Sequence, residues 1–337
     1  MRAATYSRTG SARDVLVVRD VDRPEPGPGE VRVRVRLSAV NPTDVKTRDG
    51  TTPRPIDGFA VPHQDGVGEI DAVGDQVDGD RLGQQVWLYL ATAEPGAGTA
   101  TPQRWGTAAQ WCVVPAEQAV PVPSDVSDEL AAALGVPALT AYHCLFGDLR
   151  PDGRAVLVAG GAGAVGHFAI ELARWAGLPV VATSSPGNAD AARAAGAATV
   201  IDYHARDAAE QIRAAAPDIG RIVEVALGPN LGLDLAVAGP HATIVAYSAG
   251  GEDPVLPVRQ CMAANVALRF VLLYGVPVPA LRTAVDQVSV ALAEGALTAL
   301  PVKRFPLDEI AAAHEAVESG AGGKVVVDLD AVSDGAR

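Results

Sequence analysis

The sequence predicts an α/β chain: a β-rich domain, then a domain built on a doubly wound parallel sheet, with the last segment returning to the first part. Three patterns lead there. Val31–Val40, VRVRVRLSAV, alternates valine with arginine at the period-two spacing of a strand with one wet face. Beyond Ser124, short apolar runs alternate with Ala/Leu-rich helical stretches, the rhythm of βαβ units. Within that rhythm stands VLVAGGAGAVGHFAIELA, where Gly161, Gly163 and Gly166 follow a predicted strand and open a predicted helix.

The chain has 337 residues, enough for two domains at roughly 100–200 residues each. Its 48% hydrophobic and 20% charged residues suit an ordinary globular protein with a sizeable core. With 27 basic and 40 acidic side chains the net charge is −13. Such a surface repels phosphate backbones and anionic membranes, so no nucleic-acid or membrane partner is expected. Apolar runs are interrupted before about 20 residues, and the first residues, MRAATYSRTG, lack the apolar centre of a signal peptide. Cys112, Cys144 and Cys261 are scattered and odd in number, so neither a disulfide framework nor a close-spaced zinc cluster follows. A cytoplasmic location is the expectation.

In chain order, GVGEIDAVG and QQVWLYL continue the strands of the first domain, punctuated by PGPGE and DGD turns. The long loop Ala91–Ala108 carries Arg104 and Trp105 as candidates for a substrate rim; a surface loop is the plainer reading. SDVSDELAAALGVPALTAYHCLF opens with capping residues and continues as a helix. RAVLVAG, PVVATSS, TVIDY, RIVEVAL and HATIVAYS then read as strands, with helices through GHFAIELARWAG, ADAARAAGA and DAAEQIRAAA. From about Leu300, a short strand, an amphipathic helix and the strand GKVVVDLD break the rhythm. The expected division is 1–123 with 300–337 for the first domain and 124–299 for the second.

The glycine loop has a mechanism in this setting. Glycines permit the tight turn and the close approach of backbone to a pyrophosphate, and the helix N-terminus then faces the anion. A dinucleotide is therefore expected. An NAD-specific site places an acid at the end of the second strand, about 20 residues on. Here that tip is Thr183-Ser184-Ser185, with no acid, which favours NADP(H); Asn188, Arg193 and Tyr203 are the nearest further candidates.

SAVNPTDVKTRDG, PHQDGVGEIDAVG, LGVPALTAYHCL, the glycine loop and FPLDEIAAAHEAVESGAGGKVVV together resemble the medium-chain dehydrogenase/reductase superfamily, and within it the zinc-independent quinone oxidoreductases of the zeta-crystallin-like branch. The resemblance implies a GroES-like β-rich catalytic domain and a Rossmann cofactor domain. Asn41 stands where the zinc-dependent relatives carry cysteine, Gln64 and Asp65 where they carry a His-Glu pair, and His63 is displaced by one. No catalytic zinc is expected, since such a site needs three protein ligands.

By the same resemblance, Asn41 and Thr140 approach the nicotinamide, and Gly163, Ala164, Val165 and Gly166 hold the pyrophosphate. Ser184, Asn188 and Tyr203 surround the adenosine 2′-phosphate. Tyr247 and Ser248 follow the next strand, and Val271, Leu272, Leu273 and Lys324 close over the cofactor. Asn188 and Lys46 depart from the pattern, lysine being common in relatives at the first position and tyrosine at the second. Lys46 is one of only three lysines. It either polarises an acceptor oxygen or relays a proton beside Asn41, or it is a solvated rim residue.

The function expected is NADPH-dependent, metal-independent hydride transfer to a quinone, with an enone or alkenal double bond as the alternative acceptor. A non-catalytic NADPH sensor is the rival of another class. RNA binding, known in some relatives, is opposed by the charge. No HExxH or GxSxG pattern supports a metalloprotease or hydrolase. A homodimer is expected through the cofactor domain, with VALRFVLLYGV either its contact or a buried strand.

Overall fold

The computed structural model describes residues 1–98, 103–148, 151–320 and 322–331. Four residues of the Ala91–Ala108 loop, 99–102, lie outside the described residues. The chain divides into two compact units: Met1–Val136, Tyr274–Val278 and Ala299–Arg337 form the first, Pro137–Leu273 and Pro279–Thr298 the second.

The first unit begins with β1 (Arg2–Thr5), α1 (Ala12–Val15), β2 (Val17–Asp20), β3 (Glu30–Val40) and α2 (Pro42–Asp49). It continues through β4 (Asp65–Val73), β5 (Gln85–Leu88), β6 (Trp111–Pro115) and β7 (Ala119–Pro121) into α3 (Asp128–Phe146), along which the chain passes to the second unit. The second unit holds β8 (Ala155–Val158), α4 (Ala164–Trp175), β9 (Val180–Ser184), α5 (Ala189–Ala194), β10 (Thr199–Asp202), α6 (Ala208–Ala215) and β11 (Ile219–Glu224). Then come α7 (Leu227–Val237), β12 (Ala238–Ala246), α8 (Val258–Ala264), β13 (Ala267–Phe270) and α9 (Val278–Ala293). The returning segment supplies β14 (Val302–Pro306), α10 (Ile310–Glu318) and β15 (Lys324–Asp328) to the first unit.

In the first unit the sheet order is β14-β15-β3-β4-β5-β7, with β6 also on β3. β15 lies antiparallel to β3, which brings Lys324 beside the end of β3 and the start of α2. The alternation of β3 has one departure. Val31, Val33 and Val35 are buried and Arg34 is exposed, but Arg32 is buried too. Its guanidinium ion-pairs with Glu25 at 2.7 Å and Asp71 at 2.8 Å, which makes that burial tolerable.

Helix α2, absent from the periodicity reading, forms from local chemistry. Pro42 takes the first position, where its missing N–H costs nothing, and the Asp44 carboxylate accepts the Asn41 N–H at 2.7 Å. Gly50, at φ 97°, ends it in the left-handed region.

The second unit's sheet runs β10-β9-β8-β11-β12-β13, every neighbouring pair parallel. The strand order reverses between β8 and β11, the switch point at whose carboxyl end such sheets bind ligands. The GroES-like and Rossmann-like α/β organisation is thus the fold of this chain. Helix α7 was hidden in sequence by Gly228, Pro229 and Gly232, yet Leu227, Leu231 and Leu235 recur at four-residue spacing and bury one face. Among the described residues one helix, α3, is long and apolar enough to cross a membrane, and it is largely buried inside the protein.

Candidate functional site

In the first unit a buried polar cluster gathers at the start of α2, the start of β4 and β15. Lys324, only 3% exposed, donates from Nζ to Asn41 Oδ1 at 2.5 Å. Asn41 Nδ2 donates to Asp65 Oδ2 at 2.7 Å, and the same oxygen accepts the Val136 N–H at 2.9 Å. Both ends of the Asn41 amide are therefore held, while Nδ2 retains a second N–H. Helix α3 contains Gly135 and Pro137 around that donor. Pro137 has no N–H for the helix ladder, and a Cβ on Gly135 would collide with Asp65 Oδ1. The glycine is what lets the carboxylate lie against the helix backbone.

The electrostatics follow from burial. Burial and then the Asp65 charge push Asp44 up to about 8, and burial pushes Asp65 up to about 6 although Lys324 opposes it. Burial lowers Lys324, against the pull of Asp65 and Asp44. Two carboxyls and one ammonium share one buried region, and Lys324 is its internal cation. Asp44 and Asp65 were not candidates at the level of sequence. Gly135 and Pro137 inside an apolar helix mark a disturbed ladder, but nothing in the sequence names the carboxylate that meets it.

Lys46 lies on α2 and is exposed; among the described residues its ammonium makes no hydrogen bond or ion pair. His63 is buried in a separate chain of hydrogen bonds: its Nδ1 meets Ser38 Oγ at 2.8 Å and its Nε2 meets His314 Nε2 at 3.0 Å. Ser38 Oγ meets Thr107 Oγ1 at 2.7 Å, which donates to the Asp65 carbonyl at 2.6 Å. Arg104 pairs with Glu30, and Trp105 packs on Phe59 at 5.0 Å between ring centroids, so both rim candidates are tied into the first unit.

In the second unit the glycine loop is a close-packed strand-to-helix turn. A Cβ on Gly166 would strike the Gly160 carbonyl, and one on Gly161 would lie 2.8 Å from Ala182 Cβ. Gly163 caps α4, so the backbone N–H groups of Ala164, Val165 and Gly166 form the helix's first turn. Those are the donors a helix leaves for an anion. The residues present fit a dinucleotide pyrophosphate.

The register of β9 and β10 pairs Ser184 with Asp202, which sets Tyr203 beside the Ser184 tip. Ser184 is buried, its hydroxyl donating to the Ser185 carbonyl at 3.0 Å, and Asn188 Nδ2 donates to Ser185 Oγ at 3.0 Å. Arg193 is held by Asp190 at 2.7 Å on the exposed face of α5. Tyr247 and Ser248 follow β12, and Val271 binds the Ala246 carbonyl through its N–H at 2.9 Å. Leu273 and Thr140 are buried, whereas Leu272 is exposed. The candidates therefore divide: Asn41, Lys46 and Lys324 are in the first unit, the rest in the second.

Among the described residues no group of three or more His, Cys, Asp or Glu side chains is arranged to hold a metal ion. A GroES-like polar cluster and a glycine cradle at a parallel-sheet switch point define a two-domain nicotinamide oxidoreductase of the medium-chain type. The family models for the alcohol dehydrogenase GroES-like domain and the zinc-binding dehydrogenase match residues 27–124 and 164–290. The chain belongs to the medium-chain dehydrogenase/reductase superfamily, in its quinone-oxidoreductase-like branch.

It is similar to a quinone oxidoreductase of Rattus norvegicus, 26% identical over 97% of each chain. It is also similar to the trans-enoyl reductase thnE of Trichoderma harzianum, 38% identical over 52% of this chain and 50% of that one. Among solved structures, a NAD-dependent alcohol dehydrogenase superposes with TM-score 0.86 at 26% identity, covering 98% of this chain and all of that one. A mycobacterial protein complexed with NADPH gives TM-score 0.79 at 26% identity, covering 98% and 100%.

Proposed function

We propose that this oxidoreductase uses NADPH, without a metal, to reduce a quinone-type acceptor. The observation that carries the reading is the Lys324–Asn41–Asp65 chain: a buried ammonium and an anchored amide, with a spare N–H, in the place where zinc-dependent relatives carry ligands. The cofactor, when bound, supplies the hydride; the protein contributes binding, orientation and field. Gly163, Ala164, Val165 and Gly166 hold the pyrophosphate, and Ser184, Asn188 and Tyr203 take the adenosine end, where the missing acid favours a 2′-phosphate. Thr140, Tyr247, Ser248, Val271, Leu272 and Leu273 flank the rest of the cofactor. Asn41 orients the nicotinamide or the acceptor oxygen. Lys46, exposed on α2, is the second cation available to polarise that oxygen.

An α,β-unsaturated ketone or aldehyde is the second acceptor class, supported by the similarity to a trans-enoyl reductase. The deciding experiment is NADPH consumption by purified, metal-depleted protein with matched quinone and enone acceptors, NADH running in parallel. Turnover with NADPH preferred supports the reading, and the ratio of rates chooses the acceptor. Saturable NADPH binding with no turnover of either acceptor replaces it with a sensor. Lys46→Met lowers turnover with little change in NADPH affinity; unchanged turnover removes Lys46 from the mechanism.

A cytoplasmic homodimer completes the proposal. Edge strand β13 leaves one side unpaired and exposes Phe270, at 71%, with Met262 and Val258 of α8 exposed close by in the chain. Phe270→Asp turns the dimer into monomer in analytical ultracentrifugation; an unchanged sedimentation coefficient assigns the contact elsewhere.

A further inference from the structure

His63 holds a positive φ, 78°, and is fully buried two residues before Asp65. Glycine is the ordinary occupant of that left-handed region. A side chain kept there in spite of the strain points to work that the side chain does.

The protons of the hydrogen-bond chain through His63 follow from counting donors. Thr107 Oγ1 has one proton, and it goes to the Asp65 carbonyl at 2.6 Å, since a carbonyl only accepts. Ser38 must therefore donate to Thr107 Oγ1 at 2.7 Å, which uses its own single proton. His63 Nδ1 is then the N–H that donates to Ser38 Oγ at 2.8 Å. Burial keeps this imidazole neutral, so its Nε2 is a lone pair and accepts from His314 Nε2–H at 3.0 Å. Nδ1 of His314, which has no partner, is thus a lone pair and not a stranded donor. All of these side chains are buried, and the bonds run one way only, from α10 to the first residue of β4.

Thr107 also donates its backbone N–H to the His63 carbonyl at 3.0 Å, so it grips both ends of the segment His63–Asp65. Two glycines make room for this. A Cβ on Gly106 would strike the His63 carbonyl, and one on Gly66 would lie 3.2 Å from Thr107 Cβ. The residue held in this way, Asp65, is the one whose carboxylate accepts from Asn41 Nδ2 at 2.7 Å. A shift of the Asp65 backbone moves that acceptor, and the Asn41 amide with it.

We propose that His63, Ser38 and Thr107 are positioning residues for the reduction: a hydrogen-bonded strut from His314 that fixes Asp65 and, through it, the aim of Asn41. This rests on the reductase reading above, in which Asn41 orients the nicotinamide or the acceptor oxygen. The strut is no proton wire, because the carbonyl at its end has no proton to give.

The test uses full-length protein with NADPH and the better of the quinone and enone acceptors. Thr107→Val keeps the shape and the backbone bond but removes the hydroxyl, and it lowers kcat about tenfold, as a small misplacement of a reacting geometry does. The NADPH dissociation constant stays within twofold, and Thr107→Ser restores kcat to within twofold of wild type. In an Asn41→Ala background, Thr107→Val lowers kcat less than twofold further, because the residue it acts through is already gone. Isotope-labelled histidine NMR of wild type finds His63 protonated on Nδ1 and His314 on Nε2. A Thr107→Val kcat within twofold of wild type overturns the proposal. So does an equal fall in both backgrounds, which marks a structural role, and so do the opposite tautomers. If wild type turns over neither acceptor, the reductase reading is what fails. The Asn41 side-chain amide signal then decides the strut alone: it moves in Thr107→Val and returns in Thr107→Ser, and an unmoved signal overturns the proposal.

Discussion

Lys324 and Asn41 are 283 residues apart in sequence, and the ammonium of the first donates to the amide oxygen of the second at 2.5 Å. The antiparallel pairing of β15 with β3 brings them together: Val325 faces Val40, so Lys324, just before Val325, lies beside Asn41, just after Val40. Strand β15 thus supplies the Lys324 cation to a cluster whose carboxyls, Asp44 and Asp65, lie in the first 65 residues. That cation offsets two carboxyls: burial drives both toward protonation, and the Asp65 charge adds to it at Asp44.

Lys324→Met leaves the Asp65 and Asp44 carboxyls without their counter-charge. Breaking one member of a buried ionic group costs about 3–5 kcal/mol, because the other stays desolvated. The expected result is a loss of that size in urea unfolding, partly recovered by adding Asp65→Asn. A double variant no more stable than Lys324→Met alone would separate the two residues energetically.

Gly135→Ala tests how the carboxylate sits on α3. Its Cβ would occupy the place of Asp65 Oδ1, so either the helix or the carboxylate must shift. Overpacking of this kind costs about 1–3 kcal/mol, against the usual gain from glycine to alanine in a helix. Circular-dichroism melting shows a lowered midpoint, and Asp65→Ala in the same chain relieves it.

The His63–His314 pair gives the protein an acid-sensitive element. Burial holds His63 well below the usual imidazole range and His314 down at about 3, with His314 and Lys324 repelling a proton on the first and Arg48 on the second. The unfolded chain takes up protons on both below about pH 6.5, and the folded chain does not. The pair's stabilisation is therefore complete above that pH and declines as pH falls toward 3. Asp65 and Asp44 act in the opposite sense: their raised values favour the folded state at low pH, and that contribution is lost as pH rises through about 6 and 8. Urea midpoints between pH 7 and 4.5 fall less steeply in His314→Gln than in wild type. Parallel slopes would remove the pair as the cause.

Cofactor choice is testable at the end of β9. Ser184→Asp places a carboxylate where a 2′-phosphate is proposed to lie, and like charges in contact cost several kcal/mol. The ratio of kcat/KM for NADPH over NADH falls at least roughly tenfold, each factor of ten being about 1.4 kcal/mol. An unchanged ratio would place the adenosine end away from Ser184.

Much of this was legible in the sequence. The period-two run of β3, the βαβ rhythm and the glycine turn specify local structure through side-chain spacing and backbone freedom alone, so they can be read without neighbours. Asn41 and Lys324 were legible as residues by resemblance. Helix α7 was not, because its glycines and proline outweigh its leucines locally and only burial against the sheet reverses that balance. Arg32 read as a wet-face residue and is buried, because Glu25 just before the strand and Asp71 on the neighbouring strand β4 pair it.

The sequence by itself determined the long strand of the first unit, the βαβ rhythm of the second and the turn whose glycines fit a pyrophosphate. Tertiary structure alone decided that Asp65 lies against Gly135 and that Lys324 reaches Asn41. Spacing along the chain encodes periodicity, but these contacts depend on strand pairing across hundreds of residues. The loss of water around them, which shifts their protons, exists only once the chain has closed over them.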